Sequence, residues 1–104
     1  MVKHLIVFNT AHAAWAQAVE AMARQARDVL SRISGVQGVS FGVAVAEAVY
    51  RYLLIVDFAD AAVIDVYRSH PVHVQFANEV FRPLAVQRLT TDFRMMFEAG
   101  PPRG

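Results

Sequence analysis

The stretch VKHLIVFN, Val2 to Asn9, is extended in character and apolar in both of its alternating sets: Val2, Ile6 and Phe8 share one side with His4, and Leu5 and Val7 lie on the other. Successive side chains of a strand point to opposite faces, so a strand that is apolar on both is covered on both. YRYLLIVDF, residues 50–58, repeats the pattern, with Tyr50, Tyr52, Leu54, Val56 and Phe58 on one side and Leu53 and Ile55 on the other. It too reads as doubly buried.

Between these strands, from about Ala13 to Ser34, the residues Trp15, Val19, Met22, Ala26, Leu30 and Ile33 recur at threes and fours, with Gln17, Glu20, Arg24, Arg27 and Ser31 on the other side. This is the period of an amphipathic helix, and Gly35 is placed to end it. GVQGVSFGVAVAE then opens a second strand, with Val39, Phe41, Val43 and Val45 on one face and the small residues Ser40, Gly42, Ala44 and Ala46 on the other. Asp60 is a candidate N-cap for a helix through Val63, Ile64 and Tyr67, which Pro71 interrupts; a second helical piece carries Val72, Phe76 and Val80 and closes at Pro83. In VQRLTTDFRMMF, residues 86–97, Leu89, Thr91, Phe93, Met95 and Phe97 alternate with Arg88, Thr90, Asp92 and Arg94, as in a strand with one wet face. The order is β-α-β-β-α-β, the α+β, ferredoxin-like pattern with an antiparallel four-stranded sheet. Both helices of that fold cover one face of the sheet. The doubly apolar strands are then best covered by a second copy of the same sheet, which predicts a homodimer through the open sheet face and a dimeric α+β barrel.

The composition agrees. A chain of 104 residues holds one domain, and it is 56% hydrophobic but only 18% charged, which leaves surplus apolar surface for a partner or a cavity. A net charge of +1 supplies no field to hold nucleic acid or an anionic membrane, and no segment approaches the ~18 apolar residues of a membrane span. The absence of cysteine removes disulfides and thiolate chemistry, and with no signal-peptide core the expected location is cytoplasmic.

Chemistry-bearing residues gather in VYRSHPVHVQF, Val66 to Phe76. Pro71 at a helix's first position puts His70 at the cap and His73 in the first turn, where unpaired amides favour a neutral imidazole. Tyr67 lies one turn before them. A neutral imidazole beside a phenol in an apolar cavity passes protons near neutral pH, and His4 and Tyr52 join the pair if they face the same layer. A buried histidine or tyrosine more often packs its ring and satisfies a backbone group, so residue types alone leave both readings open. His70 and His73 lack a third donor for zinc, so no metal site is expected. His12 reads as a solvated helix start, and Trp15, Met22, Met95 and Met96 as core or interface.

VKHLIVF, YRYLLIVDFAD and VIDVYRSHPVHVQF resemble, in order and spacing, the stress-responsive dimeric α/β-barrel (Dabb) family, and the likeness covers nearly the whole chain. Its most specific element is the Y-x-x-H-P-x-H arrangement of Tyr67, His70, Pro71 and His73, preceded by a first-strand histidine. The resemblance implies a ferredoxin-like protomer that pairs with its twin. Among olivetolic acid cyclase-like members of the family, which close a ring without metal or organic cofactor, the catalytic tyrosine and histidine are similar in position to Tyr67 and His73, and the first-strand histidine to His4. Where those cyclases carry a third-strand histidine this chain has Tyr52, and where they carry a tryptophan it has Leu84 beside Pro83. These departures imply a different pocket.

The expectation is thus a Dabb domain over residues 1–97 with a flexible tail over 98–104. It binds a small apolar or aromatic molecule between helices and sheet, without cofactor. His73, Tyr67 and His4 are the candidate catalytic residues, and Tyr52, His70, Phe8 and Val56 the candidate ligand contacts. The alternative is a cofactor-independent cyclase or monooxygenase-like enzyme that uses the same groups for proton transfer.

Overall fold

β1 (Val2–Asn9) lies between two antiparallel neighbours, β3 (Tyr52–Phe58) and β4 (Gln87–Arg94), and β3 pairs in turn with β2 (Val36–Val43). The sheet order is β2-β3-β1-β4. These coordinates come from a computed structural model that describes residues 1–11 and 16–100, so the expectations for His12 and Trp15 lie outside the described residues. The connections are α1 (Ala16–Leu30) and a broken helical run: α2 (Ala62–Ser69), α3 (Pro71–Phe76), a π-helical segment (Ala77–Phe81) and α4 (Arg82–Leu84).

The alternation read in β1 and β3 is the alternation of the sheet. Val2, His4, Ile6, Phe8, Tyr52, Leu54, Val56 and Phe58 are buried on the helix side, where they meet Val19, Met22, Ala26 and Leu30 of α1 and Tyr67 and Phe76 of the broken run. Leu5, Val7, Leu53 and Ile55 lie on the opposite face and stay half-exposed in the single chain. Register places Leu89 beside Val7 and Phe93 beside Lys3, so β4 adds its apolar row to that open face. The wet row of β4 therefore points to the helix side: Arg88, Thr90, Asp92 and Arg94 stand opposite Phe8, Ile6, His4 and Val2.

Several boundaries move for physical reasons. α1 ends at Leu30, and the chain turns through Ser31–Ser34 to Gly35, whose φ of +92° suits only a residue without a side chain; a Cβ there would come within 2.6 Å of Val63. β2 stops at Val43, leaving Val45 wholly exposed, and β4 stops at Arg94, leaving Met96 and Phe97 exposed. The Asp60 carboxylate accepts from the Ala62 amide at 2.9 Å, at the start of α2. Pro83 does not end the second helical piece, which runs on to Leu84. Proline has no N–H to give and crowds the carbonyl four residues back, a conflict that the widened turn at Ala77–Phe81 relieves. Glu98–Gly100 are exposed, and the rest of the expected tail is outside the described residues.

Candidate functional site

The break in the helical run builds the site. His70 precedes Pro71 and is therefore extended, with φ −65° and ψ 131°, so α2 stops and α3 restarts in a new direction. The His70 Nδ1 accepts from the Val72 amide at 3.1 Å, which makes this ring the cap of α3. In an uninterrupted helix the Val72 amide would serve the Arg68 carbonyl. That carbonyl is taken instead by the His73 ring, through Nδ1 at 3.2 Å. A carbonyl only accepts, so Nδ1 carries the hydrogen and Nε2 keeps its lone pair.

The His73 ring lies against the Tyr67 ring with centroids 4.2 Å apart, and Tyr67 meets the edges of Phe58 at 4.8 Å and His4 at 5.8 Å. Both central groups are driven toward their neutral forms. Burial pushes the Tyr67 phenol far above its usual range, and the nearby Asp92 charge adds to this. Burial pulls His73 below its ordinary value of 6.5; the bond to the Arg68 carbonyl opposes this, and the charges of His4, Arg82 and His70 reinforce it. At neutral pH this is a phenol that donates next to an imidazole that accepts.

β4 supplies what the sequence did not reveal. The Asp92 carboxylate binds the His4 Nδ1 through one oxygen and the Arg68 Nη2, at 3.4 Å, through the other. An ionised carboxylate can only accept, so in the neutral His4 ring the proton sits on Nδ1 and Nε2 is left as a base. His4, Tyr67 and His73 all line one cleft of about 360 Å³, with Ile6, Ala77 and Phe81 as apolar wall and Arg68, Arg82, Arg88 and Thr90 at its polar side. Among the described residues no hydrogen bond reaches the Tyr67 hydroxyl, and no buried side-chain oxygen or nitrogen lacks a partner. The hydroxyl is therefore not fully sealed, and Tyr67 is among the residues that line the cleft.

The other expected ligand contacts stand elsewhere. Tyr52 pairs with Phe8, at the far end of β1 from His4, about 13 Å along the strand at ~3.3 Å per residue. It stacks between Phe8 and Phe41, with centroids 5.4 and 5.9 Å away. Phe8 and Val56 are fully covered and lie behind the cleft wall rather than in it. His70 is spent on its cap. Leu84 faces a separate shallow groove against Ala18, Ala21 and Met22 of α1. Among the described residues no group of three or more histidine or acidic side chains is placed to hold a metal ion.

Asp92, Arg68, Arg82, Arg88 and Thr90 were not singled out from the sequence. One signal pointed to Asp92: aspartate is disfavoured inside strands, and this one sits in the wet row of β4. Nothing local pairs it with a histidine 88 positions away.

A four-stranded antiparallel sheet in this order, with helices on one face, defines a ferredoxin-like α+β protein. Residues 2–95 match the Stress responsive A/B Barrel Domain (Dabb) family, and the chain belongs to it. A Dabb family protein of Mesorhizobium loti with a ferredoxin-like fold is 26% identical with a TM-score of 0.79, over 92% of this chain and 97% of that one. A dimeric ferredoxin-like protein of Thermobifida fusca is 18% identical with a TM-score of 0.75, over 90% of each chain. A hydroxynitrile lyase of Passiflora edulis is 14% identical with a TM-score of 0.77, over 96% of each; like the Thermobifida protein, it shares the fold. Among curated proteins none matches this chain. No helix among the described residues is long and apolar enough to cross a membrane.

Proposed function

We propose that this chain is a homodimeric, cytoplasmic small-molecule-binding protein that takes an aromatic or apolar molecule into the cleft between the α2–α3 corner and strands β1 and β4. Tyr67, His73 and His4 are its polar handles. The observation that carries this reading is Tyr67, a buried residue whose hydroxyl has no protein partner among the described residues and which lines a cleft of about 360 Å³. That volume falls within the ordinary range of small-ligand pockets, and the mix of apolar wall and few convergent polar groups is what such pockets need. Dimerisation is supported by the apolar row of Leu5, Val7, Leu53, Ile55, Leu89 and Phe93 on the open face and by the dimeric relatives of the same fold. A cysteine-free chain accords with a reducing compartment.

A second reading, a cofactor-independent enzyme of the cyclase or monooxygenase-like kind, is favoured by the Asp92–His4 pair. A carboxylate that fixes the tautomer of an imidazole is the arrangement by which a base is held ready. In that reading His73 Nε2 accepts a proton, the Tyr67 hydroxyl donates a hydrogen bond or proton to developing oxyanion character, and His4 relays.

Binding of the neutral aromatic 2-naphthol, followed by amide chemical shifts and calorimetry, tests the first reading. The wild-type dimer should bind it with shifts at Tyr67, His73 and Ala77, and His73→Ala should weaken it several-fold while the protein stays folded. Equal binding by His73→Ala, or failure to bind 2-naphthol and its carboxylate and carboxamide counterparts alike, would overturn the site. Light scattering should report twice the chain mass; a monomer at micromolar concentration would overturn the dimer.

A further inference from the structure

The cleft holds more positive charge than its chemistry consumes. Arg68, Arg82 and Arg88 all line it, while Asp92 is the acid beside it and is already shared between His4 and Arg68. Arg82 gives one N–H to the Asn78 side-chain oxygen at 2.6 Å, and Arg88 gives one to the Ala85 carbonyl at 2.7 Å. Both acceptors are neutral, and a guanidinium has five N–H groups, so each keeps donors unspent. Neither has a carboxylate partner among the described residues, whereas Lys3, Arg24 and Arg27 each do. Arg32, Arg51 and Arg94 likewise have no carboxylate partner among the described residues, but none of them lines the cleft. The two guanidiniums reach the cleft from different elements, Arg82 from the turn after the π-helical segment and Arg88 from β4, beside the rings of Tyr67, His73 and Phe81.

We propose that the cleft selects an anion, namely an aromatic carboxylate whose ring lies against Tyr67, His73 and Phe81 and whose carboxylate is taken by Arg82 and Arg88. The proposal rests on the small-molecule reading above and narrows it to one ligand class. Planar forks with spare donors match the two oxygens of a carboxylate, and charge-assisted bonds of this kind are about twice as strong as neutral ones. A neutral carboxamide of the same shape can accept from the guanidiniums through its one carbonyl oxygen only, and without charge assistance.

The test compares 2-naphthoate with 2-naphthamide, which differ in charge but hardly in shape, alongside 2-naphthol. The wild-type protein should bind naphthoate about tenfold more tightly than naphthamide, an advantage that shrinks as salt is raised. In Arg82→Gln/Arg88→Gln the ratio of naphthoate to naphthamide affinity should fall to about one. If that variant melts early, Arg82→Lys/Arg88→Lys keeps the charges, loses the fork geometry and should show an intermediate preference. Equal binding of naphthoate and naphthamide by the wild type overturns anion selection but leaves the cleft a ligand site. A preference that survives the double glutamine variant overturns the role of these two arginines. Failure of all three probes to bind overturns the ligand site and the proposal together.

Discussion

Tyr52 and Tyr67 stand at opposite ends of the layer between sheet and helices, and both are buried, at 7% and 2% exposure. Tyr52 lies among aromatic rings: Phe8 and Phe41 stack on it, and Phe81 packs edge-on against Phe8 with centroids 5.2 Å apart. Tyr67 is equally enclosed as a ring, but its neighbours are His4, His73 and Phe58, and Asp92 is near enough to act on its phenol. Residue type and burial are alike at the two ends. What separates them is the helix break at Pro71 and the register of β4, which bring two histidines and Asp92 to Tyr67, whereas the charged group at Tyr52 is Arg51, whose guanidinium lies over its ring at 6.0 Å. A buried tyrosine is thus packing or chemistry according to what the neighbouring strand and turn present to it.

The two ends should respond differently to mutation, most of all to truncation at the dry one. Phe8→Ala removes a wholly buried ring in contact with Tyr52, Phe41 and Phe81 and should cost about 3–5 kcal/mol in urea unfolding. A cost under about 1 kcal/mol would mean that this end is no better packed than the cleft.

At the polar end the two histidines of the helix break should differ by less. His70→Ala deletes the cap on Val72 and should cost about 1–2 kcal/mol. His73→Ala frees a carbonyl at a half-buried position open to water and should cost under about 1 kcal/mol. The reverse order in denaturant melts would make His73 a packing residue and erase the distinction from Tyr52.

The smallest effect is one of pH. His73 titrates below 6.5 in the folded chain, so the unfolded chain binds its proton first and the native state loses stability as pH falls through 6.5 to the folded value. Wild-type melting temperature should therefore drop more steeply between pH 7.5 and 5.5 than that of His73→Gln. Parallel pH curves would show that His73 is not held neutral.

Much of the fold was legible because the signals that carry it are local. Alternation in residues 2–9 and 50–58 assigned faces, although the third strand begins only at Tyr52; threes and fours set the buried stripe of α1, and Pro71 marked the turn that holds Tyr67, His70 and His73. The doubly apolar strands announced an open face that needs cover. The composition of the site was not legible in the same way. Tyr52 shares a face with His4 but sits four residues further along the paired strands, a distance visible only once β1 and β3 are set in register. Asp92 reaches His4, and Arg88 joins Arg68 and Arg82, because β4 pairs with β1 in a register that turns its wet row toward the helices. A slip of one residue would have sent that row to the open face. Register between two strands so far apart in the chain, with Asn9 paired to Gln87 and Val2 to Arg94, is set by the packing of the whole sheet against its helices, and the hydrophobic period of β4 is the same in either case.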